Sequence, residues 1–588
     1  MKIIVLATAW GPKFGGINAF NEDFVLGLGA YVAPAMVADR TVFCLVSDCS
    51  AADVAAAARR NVQLVEISEA KNLDPPFAEI AETLQNHPAL SPLGRDDIWV
   101  GHDDITGAAA VAAARASGSR SALIMHMNYE AYKFLQDDDI ECDRRSNEQR
   151  ALFSTADTCF AVGPLLRNAL KDMTDGEVHM LVPGLCDIEP QTATTSLRGI
   201  AFGRFDQRTD IVKQASLVAA SYGRAIDLMR KSGHHDLEEL PASFKIYGAN
   251  SKDDAFAFHE LADEQAEGVA PLLVLPFSDI RAQVFDALAG ANLAIVPSLH
   301  DGFALTGWEA IAAETPLILS RNTGLWKLLN EYWSPSIAKG FVKAVLVHGQ
   351  RPAKGEANFS EEDVDLIARE IVDVMRHRND WIRVAADLKR GLQDKRDGCT
   401  WEKTAEDFFV GLGLVDPVEV AEARFTGDWL GYFIEGSTYR APEVVRERIT
   451  VARARNGKGL RGSSTYDVGE EPRSEELRDL SVHGGVLGGH TTATEGYTRD
   501  SWCQFQIAPR CDGQLMEGVV TWSSTVETLV DWSRYIWVKD MPGNEELRAF
   551  AEREMLVELE STLQRIDQRR QGPYPVIGMT GPVLPSRG

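Results

Sequence analysis

The chain has 588 residues, 45% of them hydrophobic and 25% charged, with 86 acidic against 60 basic side chains and a net charge of −26. That length exceeds one core, so roughly two to four domains are expected. The acid excess argues against nucleic acid or anionic lipid as a partner, since both need a basic surface. Eight cysteines without a Cys-x-x-Cys pair point to reduced thiols, a cytoplasmic setting and no zinc site.

The first residues, Met1-Lys-Ile-Ile-Val-Leu-Ala-Thr-Ala-Trp-Gly-Pro12, read as a buried strand rather than a signal peptide. Apolar runs then recur at Thr41–Val46, Val62–Ile67, Ile98–Gly101, Ala122–His126, Thr158–Val162 and Val178–Val182. Helical patterns such as Ile105–Ala116 and Pro164–Lys171 lie between them. This alternation predicts a parallel sheet with helices on both faces. The polar stretch Gln191–Ser196 reads as a hinge. After it the theme repeats, with strands at Gly199–Phe202, Phe244–Tyr247, Leu272–Leu275, Leu293–Val296, Leu317–Leu319 and Ala344–Val347.

From Trp429 onward the period changes to two. Runs at Trp429–Ile434, Arg448–Arg453, Gly459–Thr465, Leu480–Val486, Gly488–Glu495, Ser501–Ile507, Gln514–Trp522 and Ser533–Val538 read as antiparallel strands. They suit a small barrel, which leaves no exposed edge, or a sandwich. A helix follows, with Leu547, Phe550, Met555, Leu556, Leu559, Leu563 and Ile566 as its apolar positions. No run of about eighteen apolar residues, the length needed to cross a bilayer, is present. The expected fold class is therefore α/β, with two Rossmann-like domains, a C-terminal antiparallel barrel or sandwich and a terminal helix. The expected divisions are 1–195, 196–400, a cross-over helix and linker at 401–425, the barrel at 426–540, the helix at 541–572 and a tail at 573–588.

The most telling stretch is Pro297-Ser298-Leu299-His300-Asp301-Gly302-Phe303-Ala304-Leu305-Thr306-Gly307-Trp308-Glu309. Its two carboxylates flank a glycine turn from a strand into a helix, at the strand's carboxyl end where ligands bind in doubly wound sheets. The new helix aims its unpaired N–H groups and positive dipole end at whatever docks there, which favours phosphate. The stretch resembles the acidic-x7-acidic motif of family-4 GT-B retaining glycosyltransferases, the broad group that resembles glycogen and sucrose synthases. The usual form is Pro-Ser-x-x-Glu-Gly-Phe-Gly-Leu-x-x-x-Glu; here Asp301 and Ala304 replace a Glu and a Gly. Cys399–Phe408 resembles that fold's closing Trp-Glu helix, so the resemblance spans about residues 1–415. The opening Trp-Leu-Gly-Tyr-Phe of the C-terminal region is similar to calycin-like barrels.

The resemblance implies a retaining, metal-independent transferase that uses a nucleotide-diphospho-sugar, with front-face departure and attack in a closed cleft. It implies sugar contacts from Asp301 and His126, a ribose contact from Glu309, and phosphate contacts from Thr306 and the Leu305–Gly307 backbone in the Gly302-Phe303 loop. Gly15 and Gly16, in the first strand–helix turn, would admit phosphate or sugar close to the backbone. Gly203-Arg204-Phe205-Asp206-Gln207-Arg208 resembles the family's diphosphate clamp, with Arg204 as its first cation and Arg208, or its rival Lys213, as the second. Gly324 is expected to approach the nucleotide. Relatives carry an acidic residue just after that glycine, where this chain has Trp326 and Lys327, and a glycine where it has Glu314. His102-Asp103-Asp104 reads first as a helix cap. No cofactor and no metal are expected; the donor would be of UDP, GDP or ADP type, and the acceptor is open. Another copy or a partner would dock through the C-terminal domain and helix. The alternative reading is a GT-B-like module that senses a nucleotide or sugar and signals through the barrel.

Overall fold

The structure, a computed structural model, describes residues 1–12, 15–32, 40–72, 77, 79–81, 83–135, 139–190, 197–205, 207–232, 242–278, 280–349, 358–393, 399–416, 422, 424–437, 440–454, 459–468, 471–483, 486–493, 502–510, 514–523 and 532–571. The hinge expected at 191–196 and the tail after 571 lie outside these residues. The chain forms two compact units, Met1–Leu414 and Val415–Gly588.

The first unit holds two parallel sheets. One is built from β1 (Lys2–Ala7), β2 (Thr41–Val46), β3 (Val62–Glu66), β4 (Ile98–His102), β5 (Arg120–Met125), β6 (Thr158–Val162) and β7 (Val178–Leu181), in the order β3-β2-β1-β4-β5-β6-β7. Every residue of β4 and β6 is buried, as expected for strands covered on both faces. The other sheet is built from β8 (Leu197–Phe205), β9 (Ala242–Ala249), β10 (Leu272–Pro276), β11 (Leu293–Val296), β12 (Leu317–Ser320) and β13 (Lys343–Val345), in the order β10-β9-β8-β11-β12-β13. The order reverses between β1 and β4 and again between β8 and β11, and crevices open at such switch points.

The helix Trp401–Gly411 returns to the first sheet's helices, as the Trp-Glu segment predicted. Thr400 caps it, accepting the Lys403 N–H at 3.1 Å. Phe408 meets Phe24 edge-on at 5.1 Å, and Trp401 meets Phe20 at 5.3 Å. Gly27 permits this contact, because a Cβ there would lie 2.6 Å from the Trp401 carbonyl oxygen. Glu314, which stands where relatives carry glycine, has φ +57°. A side chain is strained in that region, and here it is tied to Lys389 at 3.2 Å.

The second unit is a closed antiparallel barrel of β14 (Gly427–Ser437), β15 (Arg440–Arg453), β16 (Leu460–Val468), β17 (Glu471–His483), β18 (Val486–Ala493), β19 (Trp502–Arg510), β20 (Leu515–Ser523) and β21 (Trp532–Lys539). Closure settles the choice between barrel and sandwich. Trp429, Phe433, Ile449, Leu477, Phe505 and Trp537 are among the residues that form its buried core. The expected strand Leu480–Val486 is divided between the end of β17 and the start of β18, because alternation alone does not reveal where a strand reverses. The helix Glu545–Gln571 lays Leu547, Phe550, Ala551, Met555 and Leu559 against Tyr432, Ile434 and Ile536 on the barrel's outer face. Leu556 and Leu563, read as part of that stripe, are 57% and 41% exposed. Leu556 follows Met555 by one residue, so a straight helix turns it about 100° away from the buried face.

Candidate active site

A cleft of about 900 Å³ opens between the two sheets of the first unit. Gly15, Gly16, Asn18, Tyr132 and His126 line one wall; Lys213, Arg281, Asp301–Thr306 and Glu309 line the other.

The motif loop leaves β11 and turns on Asp301. One carboxylate oxygen of Asp301 accepts the Ala304 N–H at 2.9 Å, and its carbonyl accepts the Gly324 N–H at 2.9 Å. Ala304 has φ +71°, which explains the glycine usual at this position; alanine costs about 1 kcal/mol more there. The helix Leu305–Ala312 begins at that residue with no side-chain cap. Its first amides therefore lack i−4 partners and remain available to an anion. Gly302 lets the loop touch the opposite half, since a Cβ there would fall 2.6 Å from the His126 carbonyl oxygen. Gly324 does not line the cleft. Its place is behind the loop, where a Cβ would fall 1.9 Å from the Gly302 carbonyl oxygen. Trp308 Nε1 donates to the Gly184 carbonyl at 3.1 Å and anchors the helix from below.

Two cations line the cleft beside this loop. Lys213, at the end of the helix Gln207–Lys213, places Nζ 2.5 Å from Asp301 Oδ2 and 5.9 Å from the centre of the Tyr132 ring. Burial opposes the ammonium charge, but Asp301 and Tyr132 outweigh it and hold the lysine pKa above its ordinary value. Arg281 begins the helix Arg281–Ala289 and crosses the cleft to Asp23, with Nη1 2.6 Å from Oδ1 and a second contact from Nη2 to Oδ2. Its Nη2 also donates to Cys186 Sγ at 3.4 Å. Glu309 lies within the field of Arg281 and Asp23. Burial pushes its carboxyl up to about 7, with Arg281 opposing and Asp23 adding to the rise.

On the facing wall, Asn21 Nδ2 donates to Cys44 Sγ at 3.6 Å, so Asn21 Oδ1 faces His102 Nε2, 3.0 Å away. His102 Nδ1 is 2.9 Å from His126 Nε2. Protons assigned from this network sit on His102 Nε2 and His126 Nε2, with His102 Nδ1 as acceptor. That leaves His126 Nδ1 with a lone pair to offer a hydroxyl. Burial lowers both imidazoles, His102 to about 3, and keeps them neutral. Asn21→Leu removes the acceptor that orients the chain. It is expected to lower kcat/KM about tenfold and to broaden the ¹⁵N tautomer signature of His126, while Asn21→Asp, which keeps an acceptor, retains both. An unaltered ¹⁵N spectrum in the leucine variant would count against the relay.

Asp103 and Asp104 correct the capping expectation. The helix runs Asp103–Ser117 with His102 at its N-cap and no side-chain cap bond. Asp103, at φ +44°, accepts the His126 N–H at 3.0 Å, while Asp104 accepts the Tyr129 hydroxyl at 2.5 Å and pairs with Arg145. Local spacing alone could not distinguish a cap from a tie between strand ends.

The structure thus brings His126, Asp301, Gly302, Phe303, Leu305, Thr306, Glu309, Gly15 and Gly16 to one cleft. Arg204 lies in β8 and Arg208 on the helix Gln207–Lys213, with side chains outside the described residues. Arg281, Tyr132 and Asn21 were not singled out from sequence; no motif marks them, and each is defined by a partner distant in the chain. Among the described residues no cluster could hold a metal ion, and no helix is long and apolar enough to cross a membrane.

Two parallel sheets facing a cleft, a returning C-terminal helix and an uncapped helix start at the second switch point define the GT-B class of glycosyltransferase folds. The chain belongs to the family described as family 4 glycosyltransferases in conflict systems, whose model matches residues 4–408. Among solved structures it is similar to sucrose-phosphate synthase from Thermosynechococcus elongatus, at 15% identity, a TM-score of 0.50, and coverage of 69% of this chain and 97% of that one. It is also similar to Anabaena HepE in complex with UDP and glucose, at 12% identity, a TM-score of 0.45, and coverage of 71% and 100%. A third is a UDP-forming trehalose-phosphate synthase from Burkholderia xenovorans in complex with glucose-6-phosphate, at 13% identity, a TM-score of 0.44, and coverage of 70% and 99%. No curated protein matches the sequence.

Proposed function

We propose that this chain transfers a sugar from a nucleotide-diphospho-sugar to an acceptor, with retention of anomeric configuration, and that its own cations take the place of a metal. The observation that carries this reading is the Lys213–Asp301 pair at 2.5 Å beside the uncapped start of the helix Leu305–Ala312. The departing diphosphate would rest against the Leu305 and Thr306 amides, with Lys213 as its nearest ammonium. Preorganised donors of this kind act where charge develops as the glycosidic bond breaks. Asp301, fixed by Lys213 and the Ala304 N–H, would hold a sugar hydroxyl, and His126 Nδ1 a second one. Glu309 would accept from the ribose.

The nucleobase would meet the stacked Phe202 and Tyr247 rings, whose centroids lie 4.7 Å apart on the same cleft wall. A flat apolar platform binds any base by its π-face, which leaves the choice among UDP, GDP and ADP donors to experiment. The test is release of nucleoside diphosphate across a donor panel, with the product's anomeric configuration read by NMR. Transfer with inversion would overturn retention, and tight donor binding without release would favour the sensing alternative.

A further inference from the structure

Beyond Tyr132 the crevice continues along the carboxyl edge of the second sheet. There, past the ends of β11, β12 and β13, lies a second cavity of about 340 Å³. His300, Arg321, Lys327 and His348 supply its basic groups, and Leu135 and Leu165 close it from the opposite half. Among the described residues no carboxylate belongs to its lining. Asp301, the residue after His300, is tied to Lys213 and to the Ala304 N–H at 2.5 and 2.9 Å, and Asp363 is committed to the N–H groups of His348 and Gly349 at 3.1 and 2.9 Å and to the His348 ring at 3.2 Å.

Arg321 is held at its root, Nε donating to the Ala344 carbonyl at 3.1 Å. Neither Arg321 nor Lys327 forms an ion pair among the described residues, whereas Lys213, Arg281, Lys343, Lys389 and Lys403 all do. Two cations without counter-ions among the described residues, in one concavity, are unexpected in a chain of net charge −26. His300 Nε2 is buried and has no hydrogen-bond partner. A buried polar atom left without a partner costs about 1–3 kcal/mol, so the site gains from a ligand that satisfies it. The cavity adjoins the main cleft, because His300 precedes Asp301 and its ring meets Tyr132 edge-on at 5.6 Å.

We propose that this cavity seats an anionic group, a phosphate or a carboxylate, carried by the acceptor. The proposal rests on the reading of the main cleft as the donor site. Arg321 would grip two oxygens with its planar fork, Lys327 would add a point charge, and His300 would supply a hydrogen bond near the reacting sugar.

Isothermal titration of the full chain with inorganic phosphate, glucose 6-phosphate, glucuronate and glucose tests it, each with and without saturating UDP, GDP or ADP. At least one anionic sugar is expected to bind tenfold or more tightly than glucose, and the arm that does so distinguishes phosphate from carboxylate. Lys327→Glu and Arg321→Gln should each remove that preference while leaving nucleotide and glucose binding unchanged. Equal binding of glucose and both anionic sugars, or a preference that survives both variants, overturns the proposal. If no nucleotide binds yet the preference disappears in the variants, the anion site stands and the donor reading fails.

Discussion

Lys213→Ala is expected to lower kcat for sugar transfer by about 10²–10³-fold, the usual loss when one donor to developing charge is removed. KM for the donor should change far less, because on the proposed reading the ammonium would matter most when the diphosphate separates. The same change leaves Asp301, whose side chain is only 17% exposed, without its partner. Removing one member of a buried pair destabilises by more than the pair is worth, so melting has to be measured alongside turnover. Lys213→Arg keeps the charge and should recover part of the rate. The double variant Lys213→Met/Asp301→Asn, which removes both charges, should recover stability without recovering turnover. Full nucleoside diphosphate release by Lys213→Ala at native stability would remove this lysine from the mechanism and leave the clamp to Arg204 or Arg208.

Glu309 yields the second large effect, through pH. Its carboxyl has an ordinary value near 4.5 and is pushed up to about 7 by burial. On the proposed reading a ribose hydroxyl would donate to the carboxylate form, and that form rises from about one-eleventh of the population at pH 6 to about ten-elevenths at pH 8. Donor affinity should therefore improve about tenfold across that window, with a midpoint near 7. Stability moves the opposite way. The folded value lies above the unfolded one, so this group's contribution is complete below about 4.5 and is lost as pH rises through about 7. Glu309→Gln should flatten both profiles, weakening donor binding at pH 8 and raising the melting temperature there. A pH-independent donor affinity in the wild-type chain would show that the ribose does not rest on this residue.

Much of the fold was legible because it is written in short-range patterns. Thr41–Val46, Thr158–Val162 and Leu293–Val296 were bounded to the residue, since a buried parallel strand is a compact apolar run ended by polar or turn residues. The change to period two at Trp429 marked the barrel, because one face of each strand is inside and the other outside. What remained hidden was closure and reversal: the pairing of β14 with β21 joins segments about a hundred residues apart, and alternation carries no information about partners.

The site divides along the same line. The sequence by itself determined that a helix begins at Leu305 after a glycine turn, with Asp301 before it and Glu309 within it, because those features depend on neighbours a few residues away. Tertiary structure alone decided that Lys213 faces Asp301, that Arg281 reaches Asp23 across 258 positions and that His102 links His126 to Asn21. It also placed Asp103 on the His126 amide rather than at a helix cap, and set Gly324 behind the loop instead of in the cleft. The physical reason is range: turn chemistry and hydrophobic period act over one or two helical turns, whereas the charges and hydrogen bonds of the cleft act between chain segments that only packing brings together.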